Sequence, residues 1–445
     1  MNGPMQHRSL ALVFLIALAG CRRLGAAENP APAPTSSAGD PAPASGGEAA
    51  RRLALAPTKE HAAVDRRIAA LIKLATAQPR RADVLVELGR AWIKKARETS
   101  DPGYFLHANA CADLALDVAP NDEPALDLRA IVLLNDHKFG EARDVARSIL
   151  KSNPEAVLAW GSLSDALLEL GELEEADRAA QRMIDLKPSL SSYSRISYFQ
   201  WLAGNPRAAV ESARLAIDAG GDPQNPEPRA WVLVQAAMLF WHGGDYAGAD
   251  AGFGQALEVM NDYPPALVGR GRVAMAQGDA VQAAAFYDRA WRASPLVETA
   301  WLLGEARELA GDEEGAFRAF AHAEKEGKIG DRRTLSLMYS TRKTNAVEAL
   351  RLAEQERAAR GDIATEDALA WALYRNGRFA EAEIAIGRAR RYGTQDARLL
   401  FHQGAIQKAL GRTEKGDQLL SAALRLNPKF DVAGAAEARA LLEEK

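Results

Sequence analysis

Trp160-Gly161-Ser162-Leu163-Ser164-Asp165-Ala166-Leu167-Leu168-Glu169-Leu170-Gly171-Glu172-Leu173 contains the two signals that decide the fold. Trp160, Leu163, Ala166, Leu167 and Leu170 recur at three- and four-residue steps, the spacing of one helix face. Gly171 stops that pattern, because glycine accepts the left-handed conformation that ends a helix, and a second apolar series starts at Leu173. Pro188 ends the second series, having no amide to donate and a fixed φ. Residues 156–188 therefore read as helix, glycine turn, helix.

The same unit returns along most of the chain. Ala108, Ala142, Ala176, Ala209, Ala249, Ala283, Ala316, Ala349, Ala382 and Gly416 follow one another at intervals of 34, 34, 33, 40, 34, 33, 33, 33 and 34 residues. A period in this range marks a repeat array in which each unit buries its apolar face on its neighbours. Glycine turns recur with it, as Gln277-Gly278-Asp279, Ala310-Gly311-Asp312, Asn376-Gly377-Arg378 and Leu410-Gly411-Arg412, and Pro120, Pro154, Pro295 and Pro428 follow second helices. Small side chains let paired helices approach closely, and a larger one there would overpack the contact by about 1–3 kcal/mol. With 48% hydrophobic residues and no alternating strand-like segment, the fold class is all-α.

The chain at this point resembles the tetratricopeptide repeat family, whose pattern sets Trp, Leu, Gly and Tyr on the first helix and Ala, Phe, Ala and Pro on the second. Trp160, Leu163, Leu167, Ala176 and Pro188 match in one unit, and Gly271, Ala283, Tyr287, Ala290 and Pro295 in another. Gly304, Ala316, Phe320 and Ala323 match a third, and Gly404, Leu420, Ala423 and Pro428 a fourth. The resemblance implies a right-handed superhelical solenoid of about ten helix pairs over residues 82–428. Three departures stand out. Seven extra residues lie between the first pair around Thr99-Ser100-Asp101-Pro102-Gly103, a long exit runs from Gly220 to Pro226, and Leu337 occupies a small-residue position. Capping helices are expected at 57–81, from about Lys59 to Ala77, and at 429–445, from Asp431 to Glu444.

Residues 1–20 read as a secretory signal: Arg8, an apolar run from Leu10 to Leu18 too short to span a bilayer comfortably, and then Leu18-Ala19-Gly20-Cys21. That ending resembles the lipobox of bacterial lipoproteins, which implies lipidation of Cys21 and cleavage before it. Residues 21–56, rich in Ala, Pro, Ser and Gly, read as a flexible tether of roughly 30–35 Å. In a two-membrane envelope, Arg22 instead of Asp after the cysteine favours the outer membrane, with the array facing the periplasm.

Charge and chemistry narrow the function. The formal net charge of −4, which becomes −5 once residues 1–20 with Arg8 are removed, gives no strong field for nucleic acid. Cys111 falls on an inward step of a second helix and reads as a buried small hydrophobe. The seven histidines lack metal-ligand spacing, Gly252-Phe253-Gly254 follows no strand, and Glu174-Glu175 and Glu313-Glu314 sit at helix starts where carboxylates favour the dipole. No enzyme activity, cofactor or metal is expected.

In the resembled family the groove is formed mainly by first helices, and steps 2, 5, 9 and 12 of each look into it. They place Tyr198, Trp201, Trp231, Trp241, Trp301, Trp371, Tyr374 and Phe401 on that side, with Arg272 and Arg375 as polar contacts beside Arg90, Arg342, Arg398 and Lys408. Trp92 and Trp160 fall on packing steps and Trp291 on a second helix, so all three read as structural. The Lys and Asn clamp by which some relatives hold acidic C-termini is disfavoured, since Asp127, Gly161, Ser194 and Val234 occupy step 5. The expectation is a non-enzymatic scaffold, anchored to the envelope through its lipid alone and holding a protein or peptide in an aromatic groove. The alternatives are an accessory to polysaccharide export or wall metabolism, and an assembly factor for outer-membrane proteins.

Overall fold

The computed structural model describes residues 46–58 and 62–444. The signal segment, Cys21 and the first part of the tether lie outside the described residues. Among the described residues there are 23 α-helices and no strand. They form two compact units, 46–152 and 153–444.

The first unit holds α1 (Gly46–Ala54), α2 (Ala63–Ala77), the pair α3 (Ala82–Thr99) and α4 (Tyr104–Val118), and the pair α5 (Glu123–Asn135) and α6 (Phe139–Ser152). Helix α1 corrects the extent of the tether. Glu48-Ala49-Ala50-Arg51-Arg52-Leu53-Ala54 is made of good helix formers, and the helix packs on α4. The Trp92 indole donates to the carbonyl of Ala54 at 3.2 Å, and Ala54 is fully buried. The expected capping helix starts at Ala63, where the Asp65 carboxylate accepts from the Ala62 amide. Much of the insertion near Thr99 extends α3 to 18 residues before Ser100 turns left-handed at φ 52°.

The second unit holds eight helix pairs: α7 (Val157–Leu170) with α8 (Leu173–Leu186), α9 (Leu190–Leu202) with α10 (Pro206–Asp218), α11 (Glu227–His242) with α12 (Tyr246–Val259), and α13 (Pro264–Gln277) with α14 (Ala280–Ala293). Then come α15 (Val297–Leu309) with α16 (Glu313–Gly330), α17 (Arg332–Thr341) with α18 (Ala346–Ala359), α19 (Ile363–Arg375) with α20 (Phe379–Ala389), and α21 (Ala397–Ala409) with α22 (Thr413–Leu426). Helix α23 (Val432–Glu443) closes the series, and the Asp431 side chain caps it by accepting from Gly434.

All ten recurrent small residues are buried. In three pairs glycine fills the small position of the first helix, and Tyr287 over Gly271, Phe320 over Gly304 and Leu420 over Gly404 pack so tightly that a methyl group there would collide with them. In three units serine fills the small position of the first helix and donates to the carbonyl of the recurrent alanine: Ser164 to Ala176 at 2.9 Å, Ser197 to Ala209 at 2.7 Å and Ser336 to Ala349 at 2.7 Å. Ser336 accounts for the irregular unit. Its turn is one residue longer, with Lys343 and Asn345 left-handed at φ 57° and 46°, so the small residue lies one place before Leu337. Trp92 is buried as its packing step requires, whereas Trp160 is half-exposed, its indole donating to Pro154 at 2.9 Å, and Trp291 is half-buried.

The second unit closes on itself. Turns that follow the late second helices dock on the ends of early first helices. The Gly361 amide donates to the Glu169 carbonyl at 3.0 Å, Thr394 Oγ1 to Leu202 at 2.7 Å, and Asn427 Nδ2 to Trp241 at 2.7 Å. Arg391 reaches the Gly171 carbonyl and Lys429 Nζ the Ala276 carbonyl. The terminal carbonyls of a helix lack partners within it, and here the later repeats supply donors. Gly171, Gly204 and Gly244, at φ 80°, 76° and 76°, sit directly on this seam. A Cβ on Gly204 would lie 2.5 Å from the Gly393 carbonyl oxygen and one on Gly244 2.9 Å from that of Leu426, and Gly171 is closer still to Gly361. These glycines are required twice, for their φ and for lacking a side chain.

Candidate partner-binding surface

The inward faces of the first helices contain the aromatic residues singled out from sequence, but packed into clusters instead of an open row. Trp371, only 1% exposed, stacks on Tyr374 at 4.7 Å and on His402 at 4.0 Å, with the Phe401 ring edge-on at 5.0 Å. The Arg375 guanidinium lies 4.1 Å from the Trp371 ring and pairs with Glu437 at 2.6 Å, while its Nε donates to Ser340 at 2.8 Å. Trp301 is buried and donates to Glu305 at 2.6 Å. Trp241 is buried beside Tyr246 in the same core cluster as half-buried Trp231. As exposed anchors, then, Trp241, Trp301, Trp371 and Phe401 are unavailable. Neighbouring first helices, α19 and α21 among them, pack directly on one another and absorb the rings.

Tyr198, Trp201, Trp231, Tyr374, Arg272 and Arg375 keep part of their surface. Tyr198 and Trp201 form one pair at 5.7 Å, and Trp201 packs against His242 at 4.6 Å. Arg272 is engaged by Glu298 at 2.5 Å.

Charged groups reinforce the interior of the second unit. Arg195 grips Asp165 through two nitrogens at 2.9 and 2.6 Å, both residues buried. At the seam Arg360 pairs with Glu169 at 3.0 Å and with Glu356 at 2.9 Å, and Arg333 pairs with Asp362 at 3.1 Å. Burial and the neighbouring Asp362 charge push the Glu169 carboxyl up to about 7, outweighing Arg360 and Arg333. Burial and Asp431 push Glu305 up to about 8 against its hydrogen bond from Trp301. Burial acts the same way on Asp396, yet His242 at 3.0 Å, with Arg398 and the Leu399 amide, holds that carboxyl well below its usual range.

Arg398 occupies a special place. Burial lowers its pKa, and Asp367, Asp396, Asp431 and Glu298, drawn from α19, α15 and the turns before α21 and α23, more than reverse that effect. Its side chain nevertheless keeps 42% of its surface. Asp367 also accepts from His402 at 2.7 Å, but the imidazole is buried under the Trp371 ring, so the pair is a strut with no face open to a substrate. No group of metal-ligand type was found among the described residues, and no described helix is long and apolar enough to cross a membrane. Cys111 is buried, which pushes its thiol up and leaves it unreactive.

Sequence reasoning missed the seam residues Glu169, His242, Arg360, Thr394, Asp396 and Asn427. They meet across separations such as 191, 192 and 186 residues, and no local pattern announces such a meeting.

The chain carries tetratricopeptide repeats: the family model described as Tetratricopeptide repeat matches residues 128–191 and 234–298. Tetratricopeptide repeat protein 33 of Xenopus laevis is 31% identical over 114 residues, covering 25% of this chain and 44% of that protein. Cellulose synthase operon protein C of Komagataeibacter xylinus is 28% identical over 102 residues, covering 23% of this chain and 7% of that protein. The chain thus spans less than half the length of either relative. Among solved structures, the human IFIT1 dimer with PPP-AAAA shares 14% identity at a TM-score of 0.46, over 85% of this chain and 94% of that one.

Proposed function

We propose that this protein is a non-enzymatic scaffold, held by a lipid on Cys21 in the outer membrane of a bacterial envelope with its helical array in the periplasm. It receives a protein or peptide on the inward faces of its first helices. The tetratricopeptide array supports the first part, since such arrays present long surfaces to partners. The observation that carries the inward site is Arg398, surrounded by protein yet 42% exposed, with Tyr198, Trp201 and Trp231 retaining surface on neighbouring first helices. Anchors that remain reachable beside a solvated charge suit a polar, aromatic-bearing segment.

The test is partner capture after cross-linking in intact cells, comparing wild type with Trp231→Ala, Trp201→Ala and Arg398→Ala. Loss of one specific partner in these variants, with unchanged circular dichroism, is the expected result. Full retention in all three removes the inward site. A second reading, an accessory to polysaccharide export, draws on the similarity to cellulose synthase operon protein C and on the stacking of sugars by aromatic rings. It predicts quenching of tryptophan fluorescence by soluble glycan, which the peptide-binding reading does not.

A further inference from the structure

The N-terminal end of this chain is charged unlike the rest. Residues 21–81 hold ten Lys and Arg against five Asp and Glu, a net of +5, while the whole chain is −4. Arg8 is the one charge before them, so residues 82–445 carry the remaining −10. Helix α2 presents its share of the positive charge on one face. Val64, Ile68, Leu71 and Ala75 turn inward and are buried, the helix packing on α3. On the other side Arg66, Ala70, Lys73, Leu74 and Ala77 recur at three- and four-residue steps and are all exposed. That row contains no carboxylate. The one acid of α2, Asp65, is buried and bound to Lys95. Arg67 reaches Glu87 at 3.6 Å, and Arg81, beyond the helix, is held by Asp83 at 2.5 Å. Arg66, Lys73 and Arg80, all exposed, have no carboxylate partner among the described residues.

We propose that the outward face of α2 rests on the anionic phospholipid headgroups of the membrane that holds the lipid of Cys21. The inference rests on the envelope reading above. Charge complementarity identifies the occupant, because headgroup phosphates attract a row of unpaired cations with no acid set among them. Ala70 and Ala77 are too short to keep the headgroups from the Arg66 and Lys73 charges. Leu74, 37% exposed in the same row, offers an apolar side chain to the boundary below them. Reach favours the same surface. Only 24 residues separate Cys21 from Gly46, which bounds the distance between them at about 90 Å even when fully extended. A chain held that near a surface needs only a weak contact to settle on it. The net −10 of residues 82–445 is repelled by the same headgroups, which confines the contact to the anchored end.

The test uses the whole chain from residue 21 with Cys21→Ser, so that no lipid contributes, and vesicles of phosphatidylcholine with or without phosphatidylglycerol. The expected result is sedimentation with the anionic vesicles alone, lost in about 1 M salt, where screening acts within about 3 Å. Arg66→Gln, Lys73→Gln and Arg80→Gln should each lower the partition about five-fold. Arg318→Gln, which removes a 61% exposed cation of α16, should leave it unchanged. All four side chains are exposed, so circular dichroism should stay the same. A fluorophore on Ala70→Cys, for which buried Cys111 does not compete, should be quenched by spin-labelled headgroups of the anionic vesicles. Equal binding to phosphatidylcholine alone, indifference to the three α2-side substitutions, an unquenched label, or binding to isolated peptidoglycan with none to these vesicles would overturn the proposal. Lipid on Cys21 is read separately by mass spectrometry. Vesicle binding by a chain that carries no lipid in cells would remove the anchor and keep the docking face, and a lipidated chain whose Cys21→Ser form ignores the vesicles would remove the face alone.

Discussion

Arg360 and Glu169 lie 191 positions apart in sequence and meet at 3.0 Å, both buried, where the turn after α18 seats on the end of α7. A nearest-neighbour array has no use for such a pair. Its presence, together with the backbone bond from Gly361 to Glu169, makes the second unit a closed turn whose early and late repeats stabilise each other.

The glycines of the seam offer an internal comparison. Replacing Gly311 with Ala puts a side chain on a left-handed residue facing open space, which costs about 1–2 kcal/mol through backbone strain. Gly204→Ala carries the same strain and also drives a methyl into the Gly393 carbonyl, adding about 1–3 kcal/mol. Denaturant unfolding should therefore rank Gly204→Ala as clearly the more damaging. Equal losses would mean that the seam does not form in solution.

The same closure changes what an overpacked repeat should do. Ala176→Leu forces α7 and α8 apart at a fully buried contact, at about 1–3 kcal/mol. Amide exchange should rise in the adjacent helices and also near Gly361, far away in sequence. Ala316→Leu, in the pair whose turn glycine Gly311 faces open space and whose first helix ends at exposed Leu309, should disturb its neighbours alone. Confinement of both effects to adjacent repeats would contradict the closed turn.

Aromatic truncations separate core from surface. Trp371→Ala removes a ring enclosed by Tyr374, Phe401, His402 and Arg375 and should cost about 3–5 kcal/mol. Half-buried Trp231→Ala should cost well under that. Equal unfolding midpoints for the two would mean that Trp371 is not enclosed in solution.

Much of this architecture was legible in the chain. The period of the small residues located the helix pairs, because Ala108 to Gly416 sit at contacts where only small side chains fit, and the Gly-containing turns located most of the breaks. Two local readings slipped for local reasons. Helix α1 was hidden by the Pro-rich composition before it, and Ser336 was displaced one place by its longer turn. Groove aromatics were read by helical step, which fixes a face but does not say whether a neighbouring helix covers it. Trp371 and Tyr374 share a face, and α21 covers the first more than the second. Seam residues were illegible because their partners lie nearly two hundred positions away.

Acidity should tune stability in a stated direction. Glu169 and Glu305, raised to about 7 and about 8 in the folded state, hold protons there that the unfolded chain has already released. Their contribution is thus fully present below the ordinary glutamate value and is lost as pH rises through about 7 to 8. Stability measured by denaturant should fall between mildly acidic and mildly alkaline buffer, and Glu305→Gln should flatten that fall. A steeper fall in the variant would contradict the assignment.

Anchoring is tested by mass spectrometry of the mature N-terminal peptide. Lipid on Cys21 and membrane fractionation are expected, with Cys21→Ser losing both while its helical content stays unchanged. An unmodified, soluble wild type would end the envelope reading.

The closed turn itself is tested most directly by a distance across it. Spin labels placed at Asn205 and Gln395, both exposed and flanking the contact of Gly204 with Gly393, should report one short, narrow distance by pulsed dipolar spectroscopy. The distribution should broaden and lengthen when Gly204→Ala is introduced. A long or broad distribution in the otherwise unaltered chain would show an open solenoid and contradict the account.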